Sequence, residues 1–154
     1  MVRLILTFLL AMSAWAADLA TKKTMTLAAA KKIAAAAEAE AVKNKWTVVI
    51  AILDDGANLV YLQKMDTTQI GSIDVAIAKA ASAVKFKRPS KAFEEAVAGG
   101  RQAILKLPGA IPVEGGIPLM SDGIVIGAIG VSGVTSQQDG QIAGAGAAEF
   151  AKMQ

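Results

Sequence analysis

Apolar residues recur at Leu27, Ala30, Ile33, Ala34, Ala37 and Ala41, while Lys31, Lys32, Glu38 and Lys43 fall largely off that stripe. This 3.6-residue period predicts a helix over about 27–43, capped by Thr26 and ended by Asn44-Lys45. The pattern then changes. Thr47 to Leu53 is β-branched and apolar on both faces, which predicts a central strand. Asp54-Asp55-Gly56-Ala57 turns the chain into a return strand over 58–65, with Leu59, Tyr61, Gln63 and Met65 on one face and Val60, Leu62 and Lys64 on the other. A second helix is predicted over 72–86, apolar around most of its circumference apart from Lys79. Such a helix needs cover from a sheet and from a further layer or subunit. Pro89 stops it, and Ser90 is placed to cap a short helix over 91–98 with Phe93 as its anchor. Gly99-Gly100 breaks that helix, and the pattern over 101–107 fits a further helical turn without requiring one.

The clearest local signal lies between Gly115 and Gly133. A Gly-Gly-Ile-Pro turn is followed by a short run, an Asp122-Gly123 turn and a long apolar run. Asp-Gly between hydrophobic runs predicts a hairpin, because both central residues of a type I′ turn need positive φ. Alternation puts Ile124, Ile126, Ala128 and Gly130 on one face and Val125, Gly127, Ile129 and Val131 on the other. Gly127 and Gly130 mark places where another body approaches closely: a helix, a subunit or a ligand. Gly115-Gly116 reads either as a ligand-cradling loop or as a tight connection into an edge strand blunted by Pro118. A terminal helix is predicted over about 137–152, with glycines at 140, 144 and 146. Strands arriving in hairpins between helices define an α+β class: a single α/β/α domain with a mainly antiparallel sheet covered by helices.

Composition narrows the chemistry. The chain has 154 residues, no Cys and no His. Disulfides are excluded, as are Ser-His-Asp and Cys-His catalysis and the usual zinc and haem ligand. Residues 1–16 have a basic start, an apolar run too short for a bilayer and Ala14-Trp15-Ala16, which is the order of a signal peptide. The expectation is a periplasmic or secreted protein, residues 17–154 forming the domain, with no membrane span once the leader is removed. The net charge of +3 falls to about +2 without Arg3. No stretch interleaves enough Lys, Arg and aromatics to suggest nucleic acid; the nearest, Lys85-Phe86-Lys87-Arg88, sits where cations favour a helix C-terminus anyway.

Few residues carry candidate chemistry. Lys79, inside an apolar helix, must snorkel, pair with an acid such as Asp66 or Asp139, or reach a ligand. Tyr61, Met65 and Met120 are of types that can touch haem iron or pack on its ring, and the methionines equally fill core gaps. Asp54-Asp55 reads as turn residues rather than paired catalytic acids.

In order along the chain, Met65-Asp66, Ala78-Lys79-Ala80, Gly115-Gly116-Ile117-Pro118, Gly127 to Gly133 and Gln138-Asp139 resemble the successive signatures of the GlcG/HbpS-type haem-binding family, to which the PduO C-terminal domain is also similar. The resemblance spans about 25–150. It implies an α/β/α domain, homo-oligomers and a small-molecule ligand such as haem, bound near Gly115-Gly116, Met65-Asp66 and Lys79 in a non-enzymatic role. The chain departs from the pattern at Lys64 and Thr67-Thr68 and lacks every histidine. Any haem iron would therefore rely on Tyr, Met, Thr or Lys, or the haem would be held by packing and by cations on its propionates. The competing class is an accessory enzyme, or an oligomeric accessory protein, acting on a small acidic metabolite, with Lys79 as the cation or acid–base group and Asp66 or Asp139 as its partner.

Overall fold

A computed structural model describes residues 19–154. The leader expected over residues 1–16 lies outside the described residues. The first helix, α1, spans Leu27–Lys43, and the Thr26 hydroxyl accepts the Ala29 N–H at 3.2 Å as its cap. Strands β1 (Val49–Asp54) and β2 (Leu59–Lys64) follow, then α2 (Ser72–Phe86) and α3 (Lys91–Ala98). The ambiguous stretch over 101–107 becomes a 3-10 turn, Gln102–Lys106. Strands β3 (Gly116–Ser121) and β4 (Ile124–Ser132) precede the last helix, α4 (Ser136–Ala151).

The four strands lie in the order β2-β1-β4-β3, every neighbour antiparallel. The two strands read as apolar on both faces, β1 and β4, are thus the central pair. β3, with Pro118, is an edge, where a missing N–H costs least. Asp122 and Gly123 have φ of 50° and 77°, as the hairpin signal requires.

Helices cover both faces. On one, α1 and α4 bury Ile33, Ala37, Ile50, Ile52, Ile129, Val131, Ile142 and Phe150. On the other, α2 buries Val49, Ala51, Leu53, Ala76, Ala80, Ala83 and Ala128. Alternation alone misplaces two side chains. Val60, expected beside Leu62, packs with Tyr61 on the first core, because the register passes from Ile52↔Tyr61 to Leu53↔Leu59 and leaves Val60 as the extra residue of a bulge. Ile126, expected beside Ala128, packs with Ile129 in the first core. The register passes from Leu119↔Gly127 to Met120↔Val125, so Ile126 is the extra residue of a bulge that turns it through the sheet.

The close approach at Gly130 is made by α2: a Cβ there would lie 2.1 Å from the Ala76 carbonyl oxygen. Ser90 does not cap α3 with its side chain. Its hydroxyl instead accepts the Gly116 N–H at 2.9 Å and ties α3 to the start of β3. No helix among the described residues is long and apolar enough to cross a membrane.

Candidate functional site

The residues singled out in the sequence fall into three places. The first is a buried joint. The sheet-facing side of α2 carries Lys79 inward between Ala76, Ala80 and Ala83, leaving it 1% exposed. Its ammonium donates to Asp139 Oδ2 at 2.7 Å and to the Val131 carbonyl at 3.1 Å. Asp139 lies in the first turn of α4, where the helix N-terminus favours negative charge, and its other oxygen accepts the Val134 N–H at 3.2 Å. Burial pushes the Asp139 carboxyl above its ordinary range, against the pull of the Lys79 hydrogen bond and charge. The partner of Lys79 is thus Asp139; Asp66 is exposed at the other end of α2.

Gly115 and Gly116 close this joint. Gly115 has φ +128°, and a Cβ there would come within 2.7 Å of the Val131 carbonyl and 3.0 Å of Lys79 Nζ. At Gly116 a Cβ would lie 2.2 Å from the Lys79 carbonyl oxygen. The two glycines therefore let β3 settle against α2 and the ion pair. Chemically the arrangement is a sealed connection between α2, β4, α4 and the β3 start, all its polar groups spent on one another.

The second place is a groove of about 410 Å³ lined by Glu38, Thr47, Gln63, Lys64, Met65 and Asp66. Met65 is half-buried and packs on the first core, while Asp66 is exposed. Tyr61, also half-buried, reaches the edge of this groove, its hydroxyl 3.2 Å from Gln63 Oε1. Two carboxylates and one ammonium make the lining polar. Met120 stands apart, 47% exposed on the β3 edge opposite Val125.

A third site was not singled out in the sequence. Lys87, in the left-handed region at φ 52°, ends α2 and swings the chain into α3. The Phe86 and Phe93 rings then meet edge to face, centroids 5.2 Å apart, and the Arg88 guanidinium sits 5.7 Å from the Phe93 centroid. With Ile104, Leu107 and Arg101 from the 3-10 segment they line a cavity of about 260 Å³. Neither arginine takes part in an ion pair among the described residues. Residues 85–106 hold six cations and two carboxylates, an excess larger than the net charge of the whole chain. That imbalance around Phe86 and Phe93 was the available sequence signal.

A further cavity of about 260 Å³ beside Lys22, Lys23 and Ile124 has its cations already engaged, with Asp55 and Asp122 each at 2.6 Å. Among the described residues no cluster of three or more Asp or Glu could hold a metal ion. The pocket joining α2, α3 and the 3-10 turn is thus the place where aromatic and aliphatic side chains meet two cations that have no carboxylate partner among the described residues, Arg88 donating only to the Phe86 carbonyl at 3.2 Å, a combination suited to a flat amphipathic anion.

Known proteins resemble the chain in sequence and in fold. The family model described as haem degrading protein HbpS-like matches residues 25–148. Protein GlcG of Escherichia coli K12 is 42% identical over 112 residues, 73% of this chain and 84% of that protein. The crystal structure of Klebsiella pneumoniae protein ORFY superposes with a TM-score of 0.81 at 33% identity, covering 89% of this chain and 97% of the other. A PduOC–haem complex superposes with a TM-score of 0.74 at 26% identity, covering 82% and 95%.

Proposed function

This chain belongs to the HbpS-like family, and from that premise we propose that it is an exported, non-enzymatic binder of haem or a related tetrapyrrole. The observation that carries this reading is the pairing of Phe86 and Phe93 with two arginines around one cavity. Haem is a flat apolar ring with carboxylates along one edge. The walls formed by Phe86, Phe93, Ile104 and Leu107 suit the ring, and Arg88 and Arg101 suit the propionates, which guanidinium binds through paired donors. When bound, haem would bring its iron's redox and ligand-binding chemistry. The chain's own residues would hold the ring edge and neutralise its charge, with Phe93 and Ile104, only 4% and 6% exposed, as the floor beneath it. At about 260 Å³ the cavity falls below the roughly 300–1,000 Å³ usual for ligand sites, so the ring would be gripped by an edge rather than enclosed.

The related proposals follow from the same chain. Export rests on the leader pattern of residues 1–16, and mass spectrometry of the periplasmic protein should find Ala17 first. Homo-oligomers are proposed through the outer side of α2 and the turn before it, where Val75 is 39% and Ile70 81% exposed. The small-acidic-metabolite reading loses support, because Lys79 and Asp139 are sealed from every cavity described above.

Titration of the purified protein with haemin, followed by its Soret band, tests the proposal. A saturable red shift at one haem per chain is expected, weakened in Arg101→Ala; a linear, unsaturable response refutes it. The family's description also favours turnover of the bound haem as a second reading. Time-dependent loss of the Soret band under added reductant and oxygen would reveal it.

A further inference from the structure

The lining of the Phe86–Phe93 pocket contains no group that ordinarily bonds iron. Its walls are phenylalanine, alanine, isoleucine and leucine, and its polar groups are two guanidinium ions, which have no lone pair to offer a metal. The chain has no His or Cys anywhere. No lysine or threonine is among the lining residues, and the tyrosine and methionines lie elsewhere. Tyr61 and Met65 pack on the α1–α4 side of the sheet, whereas the pocket lies at the C-terminal end of α2 on the opposite side. Ser72 and Phe86 are about 21 Å apart along α2, and Met65 precedes even Ser72. Met120 is on the β3 edge, its carbonyl bonded to Gln154. Among the described residues the other two methionines, Met25 and Met153, belong to the first core.

The part of a tetrapyrrole that this pocket does fit is organic: an apolar edge against Phe86, Phe93, Ile104 and Leu107, and carboxylates against Arg88 and Arg101. We infer that the site recognises the porphyrin dicarboxylate and not its metal, so that metal-free and iron porphyrins are ligands of one class. This rests on the proposed tetrapyrrole reading and sharpens it. Binding energy comes from burial of ring surface and from charge-assisted hydrogen bonds to the propionates, both of which metal-free protoporphyrin IX supplies in full. The net positive charge of residues 85–106, six cations against two carboxylates, with Lys91 already paired to Glu114, adds long-range attraction for any such dianion, which salt screens.

The test uses the full protein with two probes, protoporphyrin IX by fluorescence and haemin by absorbance. Their dissociation constants should agree within about threefold and should weaken in parallel as sodium chloride rises. Arg101→Ala should weaken both by about tenfold, and Arg88→Gln should do the same. Arg101 is exposed, so this variant is expected to fold even if Arg88→Gln disturbs Phe93. Lys32→Ala, an exposed cation on α1, should leave both constants unchanged and separates the site from bulk charge. Saturable haemin binding without protoporphyrin binding overturns the inference and leaves the haem proposal standing. So does loss of haemin binding alone in Tyr61→Phe, Met65→Ala or Met120→Ala. Failure of both probes to bind overturns the haem proposal itself.

Discussion

Lys79→Met isolates the energetics of the buried joint. The substitution keeps most of the side-chain volume and removes an ammonium from a position 1% exposed. It deletes two hydrogen bonds, at 2.7 Å to Asp139 and 3.1 Å to Val131, and leaves the Asp139 carboxylate with only the backbone N–H groups at the start of α4. Removing one partner of a buried pair costs about 3–5 kcal/mol, roughly 10–15 °C in Tm for a domain of this size. Most of that is the penalty of an uncompensated buried charge. The double variant Lys79→Met/Asp139→Leu should therefore be more stable than Lys79→Met alone. Urea unfolding followed by circular dichroism at pH 7 gives the three free energies of the cycle. A pH series adds a signed check. Burial already holds the Asp139 carboxyl above its ordinary range, and without Lys79 only the Val134 and Gly133 N–H groups oppose that shift. A group with a raised folded pKa contributes stability that is complete below its unfolded value, about 3.9, and lost as pH rises through the folded value. The deficit of Lys79→Met should thus shrink on acidification toward about pH 4. A single-variant cost below about 1 kcal/mol, or a double-variant cost equal to the sum of the singles, would refute the reasoning.

Two glycines of α4 should respond in opposite directions. Gly144→Ala meets nothing within 4 Å and should stabilise by about 0.5–1 kcal/mol through helix propensity. Gly146→Ala would place its Cβ 2.6 Å from Ile129 Cδ1 and 3.1 Å from the Ile33 carbonyl, so it should cost about 1–3 kcal/mol; thermal melts of the pair decide both signs. Thr135→Ala removes one half of a capping box with Gln138 and should lower stability by about 1 kcal/mol in urea, with haemin affinity unchanged.

Local rules reach far in this chain. The period of α1, the apolar circumference of α2, the Asp122-Gly123 hairpin and the doubly buried β1 and β4 are all consequences of spacing and turn chemistry, and together they imply an α+β domain with an antiparallel sheet. The same rules fail at Ile126, because a bulge depends on the partner strand's register. They fail at Ser90, because a hydroxyl able to cap its own helix found a better-placed donor in Gly116.

The site divides along the same line. That Lys79 needs a partner follows from its place in an apolar helix; that the partner is Asp139 and not Asp66 depends on how α4 docks against α2. Gly115-Gly116 signals close approach, but only the packed structure shows that what approaches is the ion pair. The Phe86–Phe93 pocket is the extreme case. Its cations and aromatics are legible one by one, but edge-to-face contact and shared lining arise when Lys87 turns α2 into α3 and the 3-10 turn folds back. Sequence alone determined which residues must be buried, turned or paired, because those demands are local. Only the tertiary structure decided who meets whom, because residues distant along the chain are brought together by the packing of whole elements.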